Sequence, residues 1–397
     1  MDDAEASAVD VVVVGGGVAG LAAALGCALA ASPAPRVIVF DPALGRAPPP
    51  TLRAVAVSPA SRRFLDRLGV WEGLAPGAQP ITRMALGDTR PGAVPAPILL
   101  SFETAPEGEP LAHMVLHYPL RDALAAAAAA AGVALRPTEV TAVGPAGATI
   151  AVAGLRARLV VAADGARSRL RENARLGTVG WDYGQVAITA TLDHSLDHRG
   201  EALQVFLPGG PLAFLPLRAT DGSGRRSSLV WTERAAEADR LLQGSPDAFV
   251  AALLARGGHD RGELTLVDRP LGHPLALRLA RNLVAPRLAL LGDAARAIHP
   301  LAGQGLNLGL ADAEALARAV GDAMALGLDP GAPRRLRGYE RDRRPAQLAM
   351  AAATDGLNRL FSTDDGPLRA VRDLGLALVD RSPAAKRFFM RRASGLD

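Results

Sequence analysis

Asp10-Val11-Val12-Val13-Val14-Gly15-Gly16-Gly17-Val18-Ala19-Gly20 decides the fold class. Four consecutive valines after one aspartate read as a strand buried on both faces, as in a parallel sheet. The glycines fit G-x-G-x-x-G, and Leu21 to Ala31 follows as an Ala/Leu-rich, nearly apolar helix. Ser32-Pro33-Ala34-Pro35 breaks that helix, and Arg36 to Asp41 reads as the next strand, which completes a βαβ-type unit.

The spacing carries chemistry. Gly15 permits the tight turn, Gly17 lets a pyrophosphate approach the backbone, and Gly20 lets helix and strand pack closely. Val18 and Ala19 lie within the motif, and the helix N-terminus that follows offers unpaired N–H groups and a partial positive charge to phosphate. Asp41 ends the next strand 21 residues after Gly20. A carboxylate there accepts hydrogen bonds from ribose hydroxyls and repels a 2′-phosphate. A plain glycine turn with a strand-end Asp is the competing reading, and the fingerprint alone does not separate FAD from NAD.

Outward from this unit, Ser58 to Leu68 and Leu120 to Ala131 read as helices, with Pro/Gly-rich text between Gly69 and Glu109. Leu159 to Ala163 is another buried strand. After about Trp181 the text changes to strand-like runs at Val186–Leu192, Leu203–Leu207, Leu212–Leu217 and Ser228–Thr232, separated by turn residues. Leu288 to Asp293 returns to the parallel pattern, a helix starts near Gly305, and the remainder is mostly helical. The expected architecture is α/β. A discontinuous dinucleotide-binding domain (1–75, 110–180, 280–330) encloses an antiparallel β-sheet substrate domain (76–109, 181–279), with a C-terminal helical region (331–397).

Composition narrows the function classes. The 397 residues are 49% hydrophobic and 21% charged, which supports a large core and excludes general disorder. The net charge is +4, but the basic residues are dispersed among acids and aromatics are only 4%, unlike a nucleic-acid-binding stripe. Lys386 is the only lysine among 44 basic residues, as expected of arginine usage in a GC-rich genome. Cys27 is the only cysteine, which excludes intrachain disulfides and thiolate-rich metal sites, and no metal site is expected. An acidic N-terminus and no long uninterrupted apolar stretch lead us to expect a soluble, cytoplasmic protein.

Two further segments carry a resemblance. Val160 to Arg171, with Asp164-Gly165 at its centre, is similar to the Asp-Gly motif of single-component flavoprotein aromatic hydroxylases. Gly292-Asp293-Ala294-Ala295-Arg296-Ala297-Ile298-His299-Pro300-Leu301-Ala302-Gly303-Gln304-Gly305-Leu306-Asn307 resembles their Gly-Asp motif. The string His299 to Gly309, with Tyr339 to Pro345 and Ala351 to Leu357, is similar to the ubiquinone-biosynthesis hydroxylase family of FAD-dependent class A aromatic monooxygenases.

That resemblance implies a para-hydroxybenzoate-hydroxylase-like FAD-binding Rossmann-type fold. It implies that NADH or NADPH reduces FAD, O2 adds at flavin C4a, and the resulting hydroperoxide hydroxylates a polyprenylated phenol. Asp293 would hold a ribityl hydroxyl, its other reading being a helix N-cap. Gly292 and the helix start at Gly303, Gly305, Leu306 and Asn307 would serve the negative charge left on the reduced flavin. Arg53 and Arg121 match cofactor-contacting positions, although a surface salt bridge explains Arg53 equally and Tyr118 stands where the family has arginine. His and Gln are common in the family where Arg296 stands. Asp164 would be chiefly structural. Pro300 lies beside the flavin, and His299 is the candidate proton-handling residue, with a backbone-bonded structural histidine as the alternative.

No second G-x-G-x-x-G follows a strand, so nicotinamide would bind transiently. Leu203 to Leu217 would line the substrate pocket, or form an ordinary sheet core. Lys386 to Arg392 mixes cations with aromatics; it reads either as a helix packed on the domain or as a peripheral contact with the inner face of a membrane. Flavin halogenases are excluded, because they need an active-site lysine and a Trp-x-Trp pair. A hydroxylase of soluble phenols and a non-catalytic scaffold of a quinone-biosynthesis complex remain alternatives.

Overall fold

The computed structural model describes residues 9–47, 49, 51–88, 97–104, 108–256, 261–300 and 303–361. Lys386 to Arg392, Leu301 and Ala302 lie outside them.

Val9–Val14 is central in an eight-stranded sheet, parallel to Val37–Phe40 on one side and Leu155–Ala162 on the other. Ala134–Arg136 and Leu288–Leu290 extend it in parallel at either side. Val11, Val12 and Val13 are fully buried. Consecutive burial, rather than alternation, follows from helices covering both faces.

The helices Val18–Leu29 and Gln304–Ala325 pack together through small residues. A Cβ on Gly309 would lie 3.2 Å from Ala19 Cβ, one on Gly26 2.9 Å from Ala317 Cβ, and one on Gly321 2.7 Å from Ala30 O. The absent side chains let the axes approach closely. This seam brings the first turns of both helices to the same edge of the sheet.

The second sheet has nine strands, in the order 296–297, 271–280, 178–194, 226–234, 210–217, 201–207, 83–88, 98–103, with 264–266 also on 178–194. It is mixed rather than wholly antiparallel, because Glu201–Leu207 runs parallel to Arg83–Asp88. Those strands belong to separate passages of the chain, so no tight hairpin dictates their direction. A small third sheet, Ala54–Val57, Ala112–Leu116 and Gln79–Ile81, lies between the two.

Period-two alternation divides the run expected to line a pocket. Leu203, Val205, Leu207, Leu212 and Phe214 pack with Trp231 beneath the helices Ala235–Gln243 and Pro246–Leu254. Ala202, Leu215 and Leu217 instead meet Ala54, Ala56, Ile81 and Met114, on the face toward the third sheet. The pocket-lining expectation is therefore corrected for the first group, which forms ordinary sheet core.

Candidate flavin site

Gly15 has φ +118°, and a Cβ there would lie 2.1 Å from Ala163 O; one on Gly20 would lie 2.0 Å from Gly15 O. No other residue type fits either place without backbone movement. Gly17 differs: a Cβ there would meet nothing within 4 Å, and no side chain caps the Val18–Leu29 helix it precedes. The loop thus closes tightly beneath and stays open above.

Asp41 is built into this loop. Its Oδ2 accepts the Gly16 N–H at 2.6 Å and its Oδ1 the Ala43 N–H at 2.7 Å. A carboxylate has about four lone-pair positions, so both oxygens retain capacity for another donor.

The second helix start has the same character. Gly303, at φ +63°, donates its N–H to Pro300 O at 3.0 Å and leads into Gln304–Ala325, which no side chain caps. A Cβ on Gly305 would meet nothing within 4 Å. Asn307 holds this start to the third sheet. Its Oδ1 accepts Ser58 N–H at 2.9 Å, and its Nδ2 donates to Ala56 O at 3.0 Å and Gly303 O at 3.4 Å. The Asn307 side chain is thus a clamp, its amide spent on backbone.

Asp164 is likewise committed. Ser168 Oγ donates to its Oδ1 at 2.5 Å and Leu170 N–H to its Oδ2 at 3.2 Å. Arg171, a buried residue not singled out from sequence, bridges Ala166 O and Ala294 O and so ties this turn to the Gly292 turn.

The charged groups converge. Arg53 is exposed, and its positive charge bears on His117, His273 and Asp293. Asp293 is exposed at the edge of its turn, yet the protein packed around it pushes its carboxyl up, against the opposing pull of Arg296 and Arg53. Burial, with the Arg53 and Arg121 charges, takes His117 down to about 4. Arg121 pairs with Asp122 at 2.9 Å and lies over the Tyr118 ring.

His299 is corrected as a ligand-contacting residue. Its side chain has no exposed surface, both ring nitrogens lack a hydrogen-bond partner, and burial lowers its pKa to about 4. It is a neutral imidazole packed edge-on against Tyr183, with ring centroids 5.4 Å apart. The backbone-bonded alternative is not met either, since among the described residues neither ring nitrogen finds a backbone partner.

Tyr183 belongs to a feature missed in the sequence. Between Asp182 and Val186 the pairing with Leu271–Ala280 slips, and Gly184 takes φ +65°. Such a bulge re-aims the side chains of its strand; Gly184 within strand-like text was the available signal. Here the bulge walls a cavity of about 420 Å³ lined by Trp181, Tyr183, Gln185, Gly209, Arg234 and Arg359, among others. Gln185 Nε2 donates to Gly209 O at 2.8 Å, and Asn358 Nδ2 donates to Gln185 Oε1 at 3.0 Å. Arg359 lies 4.8 Å from the Trp181 ring centroid and pairs with Asp355 at 3.0 Å. Burial, and then the nearby Asp355 carboxylate, raise the pKa of the Tyr183 hydroxyl, although no aligned hydrogen bond joins the two.

The model of the FAD binding domain family matches residues 8–354. The chain is 41% identical to ubiquinone hydroxylase UbiL of Rhodospirillum rubrum, over 97% of this chain and 89% of that protein. The chain belongs to the FAD-binding monooxygenase family of the ubiquinone hydroxylases. It is an FAD-dependent aromatic-ring monooxygenase. Another family member, 3-demethoxyubiquinol 3-hydroxylase of Escherichia coli, is 34% identical over 98% of both chains. The solved p-nitrophenol 4-monooxygenase of Pseudomonas putida shares the fold, with a TM-score of 0.80 at 23% identity over 98% of both chains. The family's cofactor fits what is present: two uncapped helix starts side by side, each with an open glycine, and a carboxylate with spare acceptor capacity beside one of them.

Proposed function

We propose that this monooxygenase hydroxylates the ring of a polyprenylated phenol on the route to ubiquinone, taking its electrons from NADH or NADPH. The observation that carries the reading is the pair of uncapped helix starts held together by the Ala19–Gly309 seam, in a chain 41% identical to a ubiquinone hydroxylase.

Bound FAD supplies the electron transfer and the oxygen insertion. The chain's residues do the rest. Amides at the Val18 helix start, beside Gly15, Gly17, Ala19 and Gly20, receive the pyrophosphate. Asp41 accepts from the adenosine ribose and Asp293 from the ribityl chain, while Arg53 and Arg121 supply positive charge nearby. Gly292, Gly303, Gly305 and Leu306 let the ring lie close to the second helix start, whose dipole favours negative charge there. Pro300 would lie beside the flavin. Asp164 and Asn307 act through the backbone they hold.

The phenol ring would meet the flavin beside Pro300, since the sheet face bearing Leu217 is closed by Ala54, Ala56, Ile81 and Met114. The Trp181–Tyr183 cavity, which adjoins Gln185 on the same sheet, gives the apolar tail a way out. Among the described residues no helix is long and apolar enough to cross a membrane, so contact with the lipid that holds such a substrate would be peripheral. The test is deletion of the gene with mass spectrometry of extracted quinones. Loss of ubiquinone with accumulation of one under-hydroxylated prenylphenol is expected. Undiminished ubiquinone, in a strain without a second such gene, would overturn the reading.

A further inference from the structure

Behind the Gly292 turn lies a charge cluster that the reaction as described leaves unused. Asp312, on the Gln304–Ala325 helix, has no exposed side-chain surface and pairs with Arg296 and, at 2.8 Å, with Arg343 Nε. Gln347 Nε2 adds contacts of 3.3 and 3.4 Å to its two oxygens. Arg296 is 2% exposed at its side chain, and its Nε and Nη2 are buried without an acceptor among the described residues. The nearby Tyr339 hydroxyl is spent on Leu290 O, and Glu340 pairs with Arg344. Two guanidinium groups thus share one fully buried carboxylate, and the other carboxyl that feels Arg296, that of Asp293, is exposed at the edge of its turn. An incompletely paired buried cation is costly. A metal is not the explanation, since no group of potential ligands occurs among the described residues.

Its position suggests the use. Arg296 follows Asp293 by three residues, and its charge acts on the Asp293 carboxyl. Asp312 rides on the helix whose uncapped start, Gly303 to Leu306, faces the ring in the reading above. We propose that Arg296, held by Asp312, is a positioning residue whose buried charge makes the bound flavin easier to reduce. In a poorly screened interior a fixed cation stabilises the negative charge that two-electron reduction leaves on the ring. The inference rests on the ring lying at that helix start, and needs neither the phenol nor the nicotinamide assignment.

The test is the midpoint potential of FAD in the purified holoenzyme, poised with a chemical reductant and read from the flavin spectrum. Arg296→Met is expected to shift the oxidised-to-reduced ratio at least tenfold toward oxidised, about 30 mV for two electrons. Arg296→Lys should retain most of the wild-type potential. Asp312→Asn removes the counter-charge and should move the potential the opposite way. Opposite signs distinguish charge from loosened packing, which would move both variants together. If Arg296→Met yields no holoenzyme, Arg343→Met carries the same expected sign. A wild-type potential in the neutral arginine variant that retains FAD, or shifts of one sign in arginine and aspartate variants alike, overturns the proposal. Failure of the substrate reading would appear in the quinone extract instead and leave these potentials unaffected.

Discussion

Asn307 Oδ1 accepts the Ser58 backbone N–H at 2.9 Å, between residues 249 positions apart. The same amide donates to Ala56 and Gly303, so one side chain holds a sheet edge to a helix start. Asn307→Ala would leave buried backbone groups without partners, at about 1–3 kcal/mol. The expected result is a lower Tm and weaker FAD retention, read by calorimetry and by flavin content after dialysis. Wild-type values for both would remove the clamp from the account.

Gly20→Ala is expected to abolish the holoenzyme. Its Cβ would lie 2.0 Å from Gly15 O, where no rotamer offers relief. Gly17→Ala meets no atom of the protein and should fold at close to wild-type stability while binding FAD less well. Thermal melts of the apoproteins and FAD titrations distinguish the two.

Gly321→Ala tests the seam that aligns the helix starts. The new methyl would meet Ala30 O at 2.7 Å and its Cβ at 2.8 Å, and overpacking of this kind costs about 1–3 kcal/mol. A loss of stability measured in urea, with weaker FAD binding despite the distance from the phosphate loop, is expected.

Acid should destabilise the fold through its histidines. His299 falls from its ordinary value of 6.5 to about 4 because burial disfavours its charged form. Between those values the unfolded chain binds the proton and the folded chain does not, so stability is full above about pH 6.5 and declines as pH falls toward 4. The greatest loss from this sealed residue is about 3 kcal/mol. His299→Phe should flatten that limb of the stability–pH curve; an unchanged slope would contradict the assignment.

Trp181→Ala should leave FAD content unchanged, because the residue lines the cavity and not the phosphate loop. A raised KM for a prenylated phenol, with little change for a short-chain analogue, is expected if the tail passes there. Equal effects on both would place the cavity outside the substrate path.

The first glycine turn was legible because its requirements are local. Val11 to Gly20 states a buried strand, a turn with no room for Cβ, and a helix start within ten consecutive positions. Recognition of the Gly292–Asn307 string likewise gave the second helix start. The roles of Asn307 and His299 were not legible, since an amide or an imidazole carries no mark of whether it faces a ligand or the backbone. The bulge at Tyr183 was hidden for a related reason: Gly184 signals an irregularity, but the cavity requires Gly209 and Asn358 from distant passages of the chain.

Sequence alone determined the α/β class, the position of the glycine turn between the first strand and helix, and the flavin-monooxygenase family, all of which are written in contiguous residues under strong steric constraint. Tertiary structure decided which half of Leu203 to Leu217 faces inward, the parallel pairing with Arg83–Asp88, and the buried pairing of Arg296 with Asp312. These depend on how separate segments meet in space, where a one-residue change of register exchanges the two faces of a strand.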